Sequence, residues 1–251
     1  FIQNRQNMTN EEHRIAGGQA GEQPVTLPIG PPKHMPYVKP MLYVKQTAGS
    51  IDFSFKNYKT QYPAAIPLVV CFVYFVVMVL GGVNPFFTTA QDCLEWGGGQ
   101  RESIYVDGEW WRLVTNVFAH ADVIHLMSNA ASYVYGAMFL LEIMSPRKVV
   151  AVFITCGVVG SLVCSVTNSY VFLGASGGVL GFYGAFIGYA LLDTSVFQRH
   201  KTAFYIALGL VALSILSSFR VGISLTIHAV GLLTGFLIGC VLPLWKQRNG
   251  D

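Results

Sequence analysis

Charge is what this sequence has least of. Charged residues make up 12% of its 251 positions and hydrophobic ones 53%, against roughly 25% charged in an ordinary soluble domain. A soluble fold kept wet by Lys, Arg, Asp and Glu is thereby excluded for most of the chain. Carboxylates are missing from the long apolar runs, which excludes an intramembrane protease built on two embedded aspartates. No His-Glu-x-x-His helix occurs either, so a membrane zinc protease is excluded and no metal or other cofactor is expected. Of the five cysteines, Cys71, Cys156, Cys164 and Cys240 fall inside apolar runs. They read as small hydrophobes rather than a disulfide framework. His120 and His125 are five apart, about 140° around a helix, a poor pair for holding a metal on one face. The net charge of +3 is too small to suggest nucleic-acid binding. The lack of an internal repeat argues against a transporter made of duplicated halves.

What the sequence has is apolar length. Runs at Ala64–Val83, Val123–Leu141, Val149–Asn168, Ser176–Leu192, Thr202–Ser218 and Ile223–Trp245 are each about long enough to cross a ~30 Å hydrocarbon layer as a helix. The expected fold is all-α: a polytopic membrane protein with six spans over 63–245, preceded by a polar arm over 1–62 and followed by a short polar tail over 246–251. Thirteen of the sixteen Lys and Arg residues fall on the side shared by both termini, with Arg101, Arg112 and Arg220 opposite. Both termini are therefore expected in the cytoplasm or an equivalent compartment such as the mitochondrial matrix. The arm carries Pro24, Pro28, Pro31, Pro32, Pro36 and Pro40 and finds no soluble core to pack on. That points to partner subunits of a membrane complex contacting residues 1–60. The chain starts at Phe1 rather than Met, as a processed chain or a partial one would; a removed organellar presequence is consistent with that start, and the mitochondrial inner membrane is the location expected from it. The loop over Asn84–Asp122 carries Phe86, Phe87, Trp96, Tyr105, Trp110 and Trp111. Aromatic residues of this kind settle at the membrane–water boundary, so the loop is expected to lie in that interface.

One serine stands out against this apolar background, in Leu173-Gly-Ala-Ser-Gly-Gly-Val-Leu-Gly. A run of seventeen residues from Ser176 gives about 25 Å of helix, short of the bilayer. The helix is therefore expected to begin below the membrane surface, with residues 170–175 dipping inward and Ser176 at its start. There the free N–H groups could stabilise negative charge. In the sixth run His228 stands alone among the apolar residues of Leu225–Gly235, and an ionisable residue at membrane depth needs a partner. Gly231, Gly235 and Gly239 follow His228 on one helical face, and Gly177, Gly181, Gly184 and Gly188 form a ridge in the fourth run. Pressing two such ridges together lets backbones approach closely, bringing Ser176 and His228 to similar depth. A serine beside a histidine is the minimal activated nucleophile. With no carboxylate in the spans, this would be a catalytic dyad.

With these residues in view, the sequence resembles the rhomboid family of intramembrane serine proteases. The resemblance rests on four motifs in order: Trp111-Arg112; His120, His125 and Asn129 in a His-x4-His-x3-Asn pattern; Gly174-Ala-Ser-Gly177; and His228-x-x-Gly231-x3-Gly235. It implies a six-helix bundle with Ser176 as nucleophile and His228 as general base. His125, Asn129 and the backbone N–H of Ser176 would stabilise the oxyanion. Trp111, Arg112 and His120 would anchor the loop structurally, and Gly177, Gly181, Gly184, Gly231 and Gly235 would pack the helices. Substrates would be transmembrane segments of other proteins. Three positions depart from the family's pattern. Leu180 stands where an aromatic residue usually stacks on the imidazole, Ile227 replaces a favoured Ala, and Val230 a frequent Gly. These departures crowd or strip the surroundings of the dyad. They leave room for a rhomboid-like subunit that binds or translocates membrane proteins without cutting them, for example in a mitochondrial inner-membrane import machine.

Overall fold

The computed structural model describes residues 62–218 and 224–249. The polar arm and the end of the tail lie outside these residues. A 3-10 turn at Tyr62–Ala65 runs into α1 (Ile66–Leu80), followed by three short helices, α2 (Ala90–Glu95), α3 (Arg101–Tyr105) and α4 (Arg112–Thr115). Then come α5 (Val123–Leu141), α6 (Pro146–Thr167), α7 (Ser176–Leu192), the short α8 (Thr194–Arg199), α9 (Lys201–Ser217) and α10 (Leu225–Asn249). Beyond helices, the described residues contain one isolated antiparallel bridge, Gly99 to Phe172.

Helix starts follow from local chemistry. Pro67 and Pro146 sit in the first turns of α1 and α6, where a missing N–H costs nothing. Asp122 caps α5, its carboxylate accepting the His125 N–H at 2.7 Å. By length and composition, Tyr62–Leu80, Pro146–Thr167 and Leu225–Leu244 are three helices apolar enough to cross a membrane. Ser176–Leu192 and Lys201–Ser217 are shorter apolar helices. On α10, Leu233, Leu237, Val241 and Leu244 are exposed, as are Val69, Val73, Val76 and Leu80 on α1. Apolar stripes on this scale suit contact with lipid rather than water.

The core is α7. Every residue from Gly177 to Ala190 is buried, so this helix is enclosed on all sides by α5, α6, α9 and α10. Its closest neighbour is α10, and the approach is backbone on backbone. A Cβ placed on Gly231 would lie 2.2 Å from the Gly177 carbonyl oxygen, one on Gly235 2.0 Å from that of Gly181, and one on Gly239 2.1 Å from that of Ala185. Both series climb by four, so the two helices run parallel. Gly184 and Gly188 meet the α10 backbone at Leu232 and Phe236 in the same way, whereas a Cβ at Gly181 would strike Cys156 of α6.

The aromatic residues of the first loop divide. Phe86, Phe87, Tyr105, Trp110 and Trp111 are exposed. Trp96, expected with them at the interface, instead packs with Met78, Val83 and Ala119. Its ring fills the space a side chain at Gly81 would need.

Gly235→Ala should lower the unfolding midpoint in micelles by the equivalent of about 1–3 kcal/mol, because its methyl has only backbone to displace. Gly209→Ala, where a Cβ meets nothing within 4 Å, should be near neutral. Equal effects of the two substitutions would contradict the seam.

Candidate active site

The capped start of α5 places His125 in its first turn and Asn129 one turn later on the same face. Both face Gly174. A Cβ there would sit 2.7 Å from His125 Cε1 and 3.8 Å from Asn129 Nδ2, and the backbone has φ +124°. Only glycine meets both the steric and the conformational demand. The Asn129 Nδ2 group is buried and makes no hydrogen bond. It is the sole such side-chain atom among the described residues, and an orphaned donor of this kind calls for a ligand or a function.

The segment leading to Ser176 is clamped to the first loop at three points. Phe172 and Gly99 exchange backbone hydrogen bonds of 2.9 and 2.8 Å, and the Gly174 N–H donates to the Asn116 carbonyl at 2.8 Å. The Ala175 N–H points at His120 Nε2 across a long 3.5 Å. On the other side of the ring, His120 Nδ1 lies 3.1 Å from the Phe118 carbonyl. A carbonyl can only accept, so Nδ1 carries the proton and Nε2 accepts from Ala175. Burial holds this neutral form, pushing the His120 pKa down to about 3, with His125 adding to the effect.

The clamp has its own support. Asn116 donates to the Arg112 carbonyl and accepts from the Ser161 hydroxyl at 2.8 Å. The buried Arg112 side chain pairs with Glu109 at 2.6 Å and donates to the carbonyls of Leu94 and Gly98. Its guanidinium also lies 4.5 Å from the Trp111 ring centre. His120 and His125 are not on one helix, as the angular argument from their spacing assumed. His120 precedes α5 and folds back, so the two rings are 5.0 Å apart, edge to face. No cluster of three metal-ligating side chains occurs among the described residues.

Ser176 opens α7, behind the buried Phe172 and Ala175. His228 lies in the first turn of α10 and is also buried. Gly177 packs on Ile227 and Gly231, so Ser176 and His228 each sit one residue from the same helix contact. No hydrogen bond joins them among the described residues. The imidazole is held instead by Ser218, whose Oγ is 2.5 Å from His228 Nδ1. Sequence reasoning missed this residue, although the need of a buried histidine for a partner was a signal that some group had to fill the role.

The departures read from the sequence fall into place differently. Leu180 is buried in the main core. Ile227 turns away into a cluster with Ile104, Cys164 and Phe172, in room left by two glycines. Its Cγ2 lies 2.7 Å from where a Gly177 Cβ would be, and its carbonyl oxygen 3.2 Å from that of Gly160. Val230 is half-buried. A mostly apolar recess, too narrow to admit a water molecule, lies among Leu68, Cys71, His120, Leu126, Asn129 and Tyr133. It reaches Asn129, while His125 stands outside it against Gly174.

Residues 107–244 match the Rhomboid domain. The chain belongs to the rhomboid family. Among its relatives is YdcA of Bacillus subtilis (strain 168), 30% identical over 146 residues that cover 57% of this chain and 72% of YdcA. The rhomboid protease GluP of the same organism is 26% identical over 193 residues, 76% of this chain but 37% of GluP. RHOMBOID-like protein 6, mitochondrial, of Arabidopsis thaliana is 27% identical over 170 residues, 67% of this chain and 55% of the relative. This rhomboid chain thus spans most of YdcA and about half or less of the other two.

Acid should destabilise the clamp. The folded pKa of His120 lies far below the unfolded value of about 6.5, so the unfolded chain takes up a proton that the folded one refuses. Stability is full above about pH 6.5 and falls toward pH 3 by up to about 1.4 kcal/mol per pH unit. His120→Asn should start less stable at neutral pH yet lose less between pH 7 and 5, followed by chemical unfolding in micelles. Identical slopes would show that His120 is not buried neutral.

Proposed function

We propose that this chain is an intramembrane serine protease of the rhomboid type, with α1, α5, α6, α7, α9 and α10 as its six spans. The observation that carries the reading is the buried, unpartnered Asn129 amide beside His125, both turned to Gly174 two residues ahead of Ser176. Neutral donors of this kind can hold an oxyanion without burying net charge. In the proposed reaction, His228 takes the Ser176 hydroxyl proton as Oγ attacks the scissile carbonyl. Charge developing on the carbonyl oxygen meets Asn129, His125 and the Ser176 N–H at the start of α7. His228 then gives its proton to the leaving amine, and water hydrolyses the acyl-enzyme. The missing Ser176–His228 hydrogen bond is compatible with this, because catalytic hydrogen bonds are often long in the free enzyme and tighten around substrate. Substrates are membrane-protein segments that enter from lipid and unwind to expose a peptide bond. Both termini lie on the cytoplasmic or matrix side, and the interfacial first loop faces the opposite side. A mitochondrial location, in the inner membrane, is one placement of this reading; the relative named as mitochondrial bears on the organelle alone.

A second reading, a non-proteolytic rhomboid-like subunit that binds or translocates membrane proteins with partners on residues 1–60, is favoured by Leu180. That leucine leaves the imidazole without an aromatic neighbour at the usual position.

Purified protein in liposomes with a panel of transmembrane peptides separates the two. Cleavage should vanish in Ser176→Ala and His228→Ala and fall about 100- to 1000-fold in Asn129→Ala, the cost of one oxyanion donor. Cleavage unchanged by Ser176→Ala, or none by a folded wild type with its client bound, would favour the second reading.

A further inference from the structure

Ser218 ends α9, ten residues before His228, and both side chains are buried. Its hydroxyl makes two short contacts, 2.7 Å to the Ser214 carbonyl oxygen and 2.5 Å to His228 Nδ1. A hydroxyl has one proton, and a carbonyl can only accept. Both contacts are satisfied together in one arrangement: Ser218 donates to Ser214, and His228 Nδ1–H donates to Ser218. Nε2 then keeps its lone pair, and no hydrogen bond engages it among the described residues.

We propose that Ser218 is the positioning residue of the general base, fixing the His228 tautomer and ring orientation so that Nε2 is free to take the Ser176 proton. This rests on the protease reading above. An imidazole general base needs its far nitrogen held by a partner, for which a carboxylate is the familiar choice. Among the described residues no carboxylate bonds to the ring, and Leu180 supplies no aromatic face, so the serine–carbonyl relay at the end of α9 takes over the orienting task. A neutral relay also avoids burying a charge in an apolar bundle. The arrangement couples the base to α9, a helix that takes no other part in the site.

The test pairs Ser218→Thr with Ser218→Val, alike in shape and different in the hydroxyl. Acylation by a fluorophosphonate probe, peptide kcat and KM, and the tautomer of His228 by nitrogen NMR of histidine-labelled protein are read for each, with His228→Gln to assign the signal. Wild type should show Nδ1–H. Threonine should keep that signal and most of the rate. Valine should lose both, with kcat down about 10- to 100-fold, the cost of a misplaced catalytic group, and KM unchanged. A wild type that is never acylated sinks the protease reading. A wild type that is acylated while Val equals Thr, or whose His228 carries its proton on Nε2, overturns the role of Ser218 alone. The wild-type tautomer decides even if both variants fail to fold.

Discussion

The contact on which the rest depends is the one between α7 and α10. Gly231, Gly235 and Gly239 lie on the carbonyls of Gly177, Gly181 and Ala185, so two backbones touch with no side chain between them. In lipid there is no hydrophobic gain from merely joining two apolar helices, and close packing of small residues takes its place. Ser176 and His228 are separated by more than fifty residues of sequence. The parallel seam gives them a common depth, and burial of α7 from Gly177 to Ala190 leaves the helix nowhere to slide.

A seam of glycines sets depth but cannot shape the chain ahead of Ser176, where helix has not yet begun. That work falls to the first loop. Arg112 gathers the carbonyls of Leu94 and Gly98, Asn116 and Gly99 hold the backbone of residues 172–174, and His120 receives the Ala175 N–H. Irregular backbone at membrane depth is tolerated where its polar groups are satisfied by protein, and here the loop supplies the partners. The side chains turned to Gly174, two residues ahead of Ser176, are His125 and Asn129, and neither is a carboxylate or a permanent cation. The Arg112–Glu109 charges stay one layer back.

Much of this was legible from residue spacing. The limits read for Val123–Leu141 and Ser176–Leu192 coincide with helices, and those for Thr202–Ser218 differ by a single residue at each end, because apolar periodicity and glycine spacing are local signals. The glycine ridges were visible for the same reason. What could not be read involves loop residues brought together only by closure of the fold. Nothing in the sequence pairs Gly99 with Phe172, folds His120 back on His125, or sends Trp96 inward against Gly81. Ile227 looked obstructive because its bulk was visible while the space opposite Gly160 and Gly177 was not. Ser218 was hidden in a run of serines at a helix end, where such residues ordinarily bond to their own backbone.

The central claim is that Ser176 opens onto a preformed site for negative charge made by Asn129 and His125. The most direct measurement is an experimental structure of the protein after reaction with a fluorophosphonate. The account predicts phosphorus bonded to Ser176 Oγ and a phosphoryl oxygen about 2.7–3.1 Å from Asn129 Nδ2, with the loop clamp unchanged. A phosphoryl oxygen directed away from Asn129 and His125, or an adduct on another residue, would contradict it.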